Sequence, residues 1–130
     1  MIPIFTNKHY SMKPISTKIH GFLDYATGLL LVLLPFFLNF DISDPKGMIL
    51  LVLGAFTILL ALITRYELGL VKLIPMPVHL VFDILSAVLL GASPWFLGFA
   101  GETYILYVGI ALFEMVVIVL SQNRTGERTV

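Results

Sequence analysis

No cysteine occurs anywhere in the chain, which removes disulfides, thiolate metal sites and thiol catalysis together. Charge is scarce as well: 12% of the 130 residues are Asp, Glu, Lys or Arg, against 58% hydrophobic. A soluble globular domain carries about 25% charged and about 45–50% apolar residues, so a soluble domain this small would not cover its surface. The formal net charge is zero, and nothing in it points to nucleic acid. There is no phosphate-binding glycine loop, no nucleophile elbow and no metalloprotease helix. With no reactive constellation in view, the chain reads as non-enzymatic.

What the chain does have is four apolar stretches, at about 20–40, 47–64, 77–99 and 104–120. Each approaches or exceeds the roughly 18 residues that cross a hydrocarbon core as a helix. Backbone polar groups find no partner in lipid, so helices are the expected solution. A soluble four-helix bundle fails on its outward faces: Met48 to Ile63 holds no charge and only Thr57 as a polar residue, leaving no face for water. The first 19 residues have a basic start, but the apolar run behind them is too long for a signal peptide. They read as a tail.

Lys8, Lys13 and Lys18, then Arg65 and Lys72, then Arg124 and Arg128 lie on one side of such a path, and Lys46 alone on the other. That bias places both termini in the cytoplasm. The expected organisation is a cytoplasmic tail at 1–19, a two-helix unit at 20–66, a cytoplasmic loop at 67–76, a second two-helix unit at 77–121 and a tail at 122–130. The expected location is the cytoplasmic membrane, the expected surroundings the lipid bilayer, with a homo-oligomer or a membrane complex as possible partners.

Self-similarity supports the division into two units. Shifted by 59 residues, HGFLDYATGLLLVLLPFFLNF (20–40) lies over HLVFDILSAVLLGASPWFLGF (79–99) with eight of 21 columns identical. Leu and Phe matches are cheap in such a sequence, whereas His20/His79, Asp24/Asp83 and Pro35/Pro94 are not. The second and fourth stretches align only after a further shift of about three residues. A repeated pair of spans keeps its orientation, so the expected relation is a pseudo-two-fold along the membrane normal. Ser93-Pro94-Trp95, followed by Phe-Leu-Gly-Phe and preceded by a His-x-x-x-Asp helix, resembles the SPW repeat family of small prokaryotic membrane proteins. Members carry that motif in the first helix of a two-helix unit. The first half departs from it, with Leu34-Pro35-Phe36 in its place. The resemblance implies a membrane fold and no particular activity.

Three groups of residues carry candidate chemistry. Residues four apart share a helix face, so His20 with Asp24 and His79 with Asp83 form two pairs near the cytoplasmic ends of spans one and three. They either pin each helix start locally or converge, and in the second case they exchange protons or bind a divalent metal such as zinc. No other cofactor is expected. Glu114 lies about 15 Å along the helix from Arg124, near mid-membrane, where a carboxylate costs about 2.5–3.5 kcal/mol. It should face the bundle interior, with Thr27, Ser86, Tyr25 or Asp83 as partners and Ala55 or Ile58 as its counterpart in span two. Pro35, Ser93, Pro94 and Trp95 lie near the outer boundary, where proline kinks or ends a helix and Trp95 anchors in the headgroups. Small residues such as Gly28, Gly54, Ala87, Gly91 and Ala111 permit close helix approach.

Three functions remain open at this point. The principal reading is a non-enzymatic membrane protein acting through assembly. The alternatives are a proton-coupled or ion carrier or channel using the His–Asp pairs and Glu114, and a metal- or cofactor-binding membrane module.

Overall fold

The computed structural model describes residues 12–124. Most of the N-terminal tail, with Lys8 and His9, lies outside the described residues, as do Arg128 and the side chain of Glu102. The order is α1 (Thr17–Phe37), α2 (Pro45–Leu62), α3 (Met76–Phe96) and α4 (Ala100–Leu120), with no strand among the described residues. All four helices are long and apolar enough to cross a membrane. Side chains such as Phe22, Phe36, Val52, Leu85 and Val116 stand exposed on the outer faces, as lipid-facing positions would.

The helix ends differ from the expected spans for local reasons. α1 starts three residues early because the Ser16 hydroxyl accepts the Ile19 N–H at 3.2 Å and caps it. α1 stops at Phe37 because Asn39 turns left-handed (φ 57°) and the Phe40 N–H reaches back to the Pro35 carbonyl at 2.8 Å. α3 ends in the same way, with Gly98 at φ 84° and the Phe99 N–H on the Pro94 carbonyl at 2.8 Å. This reverse bond closes the last helical turn. Proline favours the start of α2 at Pro45. α4 begins at Ala100 but breaks at Thr103 (φ −141°), so its regular span runs Thr103–Leu120, close to the expected start at Tyr104.

The proline motif has a backbone logic. Pro94 has no N–H to give the carbonyl four residues back, which belongs to Leu90. The Ser93 hydroxyl donates to that carbonyl instead, at 2.7 Å, and both Ser93 and Pro94 are fully buried. Pro35 is buried as well. Trp95 alone of the motif points outward, its ring 5.6 Å from that of Tyr104. Ser93→Ala should leave the Leu90 carbonyl unsatisfied and cost about 1–2 kcal/mol, read as a lower thermal midpoint in detergent; an unchanged midpoint would remove this explanation of the serine.

Packing is closest between α1 and α2 and between α3 and α4; α2 and α3 also touch, whereas α1 and α4 barely meet. Gly28 and Gly54 form the α1–α2 crossing: a Cβ on Gly54 would sit 2.8 Å from the Gly28 carbonyl oxygen and 2.8 Å from the Val32 nitrogen. In α3 and α4 the buried Ala87 and Ala111 face inward, and a Cβ on Gly91 would lie 3.0 Å from that of Ala111. Ala26, Ala55 and Ala92 are exposed instead. Leu31, Leu50, Leu53, Leu90, Phe99 and Tyr107 fill the interior toward one end. The opposite end is polar.

Two short clamps order that polar end. The Ile15 N–H bonds the Leu120 carbonyl at 3.1 Å and its carbonyl accepts the Gln122 N–H at 2.8 Å, gripping Ser121 between them. In the same pattern the Ile74 N–H bonds the Ile63 carbonyl at 2.9 Å and its carbonyl accepts the Arg65 N–H at 2.7 Å, gripping Thr64. The returning 70–74 loop also takes the last carbonyl of α2, with Leu70 and Val71 both donating to Leu62.

Candidate functional site

At the polar end, α1 supplies His20 and Asp24 and α3 supplies His79 and Asp83. The two pairs do not stay on their own helices, as a purely local role would have required. His20 Nε2 lies 3.2 Å from Asp24 and 3.0 Å from Asp83, and His79 Nε2 lies 3.0 Å from Asp24 and 3.0 Å from Asp83. The rings meet edge to face with centroids 5.3 Å apart. Both imidazoles are fully buried. The four ligand atoms all lie within 4.8 Å of one another.

The outward nitrogens are fixed by hydroxyls. Thr64 Oγ1 lies 2.6 Å from His79 Nδ1 and 2.6 Å from the Leu60 carbonyl; Ser121 Oγ lies 2.6 Å from His20 Nδ1 and 2.6 Å from the Val117 carbonyl. A hydroxyl has one proton. With that proton given to the helix carbonyl, the oxygen accepts from the ring, so the network assigns the hydrogen to Nδ1. The inward nitrogens differ. His20 Nε2 is hydrogen bonded to Asp83 at 3.0 Å, the ring donating to the carboxylate, whereas His79 Nε2 is buried and 3.0 Å from two carboxylates, yet makes a hydrogen bond with neither. A proton on that nitrogen or a cation among the four groups resolves the arrangement.

The donor set could hold a divalent ion. The nitrogen–oxygen contacts of 3.0–3.2 Å are close to the edges of about 3.3 Å that bonds of about 2.0–2.1 Å imply, with Asp24 presenting Oδ1 to His20 and Oδ2 to His79 and the four ligand atoms lying within 4.8 Å of one another. An Nδ1–H held by a fixed acceptor is the usual second layer of a metal-bound histidine. Four protein ligands make a closed set, the structural rather than the catalytic pattern for zinc.

The surroundings are not symmetric. The Tyr66 hydroxyl donates to Asp24 at 2.7 Å, its ring 5.3 Å from that of His79 and packed on Gly21. Burial, reinforced by the Asp24 charge, pushes the Tyr66 phenol far above its ordinary range, so it remains a neutral donor. Among the described residues no phenol donates to Asp83. It faces a cavity of about 20 Å3 lined also by Asp24, Thr27, Thr57, Ser86 and Glu114. Glu114 lines that cavity with Thr27, Ser86 and Asp83, while Tyr25 turns away and donates to the Leu68 carbonyl at 2.9 Å. Thr57, rather than Ala55 or Ile58, is the α2 residue that shares Glu114's level. The offset from α2 to α4 is 57 residues, as it is for Thr64 and Ser121.

Thr64, Ser121, Tyr66 and Thr57 were not among the candidates read from the sequence. A 57-residue shift would have aligned Gly54 with Ala111, Thr57 with Glu114 and Thr64 with Ser121, a spacing of three and seven along one helix face.

Four apolar helices around a buried His–Asp cluster define a multi-pass membrane protein with a polar centre toward one end of the bundle. The SPW repeat domain matches residues 18–122, which covers all four helices, and the chain belongs to that family. No curated protein and no solved structure matches it.

Proposed function

We propose that this SPW-family protein is a non-enzymatic membrane protein whose helices are assembled around a divalent metal, with zinc the best-fitting ion. The observation that carries the reading is the convergence of His20, Asp24, His79 and Asp83, with each Nδ1 committed to a hydroxyl and each Nε2 turned inward. The closed ligand set favours holding helices together over turning over a substrate. Zero formal charge for two neutral imidazoles, two carboxylates and one divalent ion suits a low-dielectric interior.

The same reading takes the chain as two tandem copies of one helical hairpin, 20–66 and 77–121, with both termini cytoplasmic and the centre near that face of the cytoplasmic membrane. Supporting it are the features that recur at a 59-residue spacing: the left-handed Asn39 and Gly98, the Phe40 and Phe99 reverse bonds, and the Ile15 and Ile74 clamps. The proton-carrier alternative gains no comparable observation.

The test is metal analysis of the protein purified in mild detergent, combined with thermal unfolding. About one zinc per chain is expected, with X-ray absorption showing two nitrogen and two oxygen neighbours. Chelation should lower the thermal midpoint by about 5 °C or more, and zinc in large excess over its dissociation constant should restore it. A protein with no bound metal and no response to added zinc would end this reading and leave the quartet as a bonded helix pin.

A further inference from the structure

We propose that the two backbone clamps at the polar end are a pair of equivalent sites for the headgroups of anionic phospholipids. Each sets a lysine and an arginine beside apolar side chains at the bilayer rim. The clamps are copies in sequence as well as in backbone bonding. Shifted by 59 residues, Met12-Lys13-Pro14-Ile15 lies over Val71-Lys72-Leu73-Ile74, and Arg65 lies over Arg124. In both, a side chain from just beyond a helix end holds the carbonyl of the lysine: Arg65 Nε donates to that of Lys72 at 3.2 Å, and Gln122 Nε2 to that of Lys13 at 2.9 Å. The residue before each lysine is apolar and left outside, Met12 being 91% exposed and Val71 55%, with Leu70 and Leu73 exposed beside Val71. None of the four belongs to a helix, so the need to span a membrane does not account for them.

The level of these residues decides their partner. α2 has 18 residues, about 27 Å of helix, which is nearly the thickness of the hydrocarbon core. Leu70 and Val71 donate to its last residue, Leu62, and Leu73 donates to Ile63. The loop therefore lies against the final turn of the helix, at the rim of the hydrocarbon. Ile15 meets Leu120 at the end of α4 in the same way. Apolar side chains at that level reach acyl chains, while a lysine beside them extends its ammonium to the headgroups. Exposed charge there has one sign. Lys13, Lys18, Arg65, Lys72 and Arg124 are all exposed, whereas Asp24 and Asp83 are turned into the His–Asp centre and Glu67 accepts the Thr17 hydroxyl at 2.8 Å. A guanidinium and an ammonium at each clamp suit a phosphodiester, and the apolar neighbours suit the chains that a lipid carries and free phosphate lacks. The sites rest on the membrane setting alone, and not on a metal at the His–Asp centre.

The experiment is native mass spectrometry of the purified full chain in mild detergent, titrated with phosphatidylglycerol or with phosphatidylcholine of identical acyl chains. Two tightly bound phosphatidylglycerol molecules are expected, preferred over phosphatidylcholine by about tenfold or more, since each basic residue near the surface contributes about fivefold. Lys72→Gln with Arg65→Gln should remove one of the two. Adding Lys13→Gln and Arg124→Gln should abolish the preference, with thermal unfolding confirming that the variant is folded. Lys13→Gln and Lys72→Gln singly serve if the combined variant does not fold, each weakening binding by about fivefold. Lys46→Gln, at the opposite end of the bundle, should change nothing. Because the chain has no cysteine, a spin label on Leu70→Cys in phosphatidylglycerol-containing bilayers reads depth directly; oxygen should reach it and a water-soluble nickel chelate should not. Equal binding of the two lipids would overturn the proposal, as would a preference that survives the folded combined variant. Displacement of the bound lipid by inorganic phosphate at equal concentration, or a label open to the nickel chelate, would overturn it too.

Discussion

His79→Ala is expected to lower the zinc affinity of the protein by about a thousandfold or more. Loss of an outer-layer partner alone costs about 10–100-fold, and here the ligand itself is removed, together with the ring that spaces the two carboxylates. The same change leaves Asp24 and Asp83 facing each other with one imidazole instead of two, and removing one partner of a buried ionic set destabilises by about 3–5 kcal/mol. Competition against a chromophoric chelator reads the first effect and thermal unfolding reads the second. His20→Ala should behave alike, because His20 touches the same two carboxylates at similar distances. An alanine variant that retains the parent's zinc affinity would place the ion elsewhere. Stability loss without any zinc dependence in the parent would mean that the quartet acts through its own hydrogen bonds.

Gly54→Val should be strongly damaging although it lies away from the centre. The new Cβ would lie 2.8 Å from two backbone atoms of α1 and 2.9 Å from the Leu31 Cβ, so no flexible side-chain end can yield. Overpacking a core usually costs about 1–3 kcal/mol, and displacing a whole helix belongs at or above the upper limit. The thermal midpoint should fall by about 10 °C or more, with loss of the monodisperse peak on gel filtration. Gly109→Ala provides the control, because a Cβ there meets nothing within 4 Å, and alanine is the better helix former by about 1 kcal/mol. If the two substitutions behave alike, the α1–α2 crossing is looser than the Gly28–Gly54 contact shows.

Much of this was legible in the amino-acid order. Apolar length located the four helices to within a few residues, because lipid imposes a length on any helix that crosses it. His20, Asp24, His79 and Asp83 stood out because such residues are rare in apolar runs and recur at one spacing. Their cross-connection was not legible, since helix–helix geometry decides whether an imidazole meets its own aspartate or its neighbour's. Thr64 and Ser121 were hidden for a different reason. Each lies just beyond a helix end, where hydroxyl residues are commonplace, and each owes its position to a backbone clamp from a distant segment. The inward turn of Ser93 was not legible either, because its buried bond to Leu90 depends on the hole that Pro94 leaves in the helix ladder.

The clamps carry a further consequence for how the molecule is completed in the membrane. α1 packs mainly on α2, yet the hydroxyl that steadies its histidine stands just after α4; α3 packs mainly on α4, yet its histidine is steadied from the end of α2. Each helix pair thus lends its hydroxyl to the other and cannot orient its own imidazole. Helices enter the bilayer in order as the chain is made, so the first pair waits, with its ring untethered, until the last residues of α4 have emerged. Completion of the centre then waits on completion of α4, and a product truncated before Ser121 or misinserted is left with a loose, unfinished polar end.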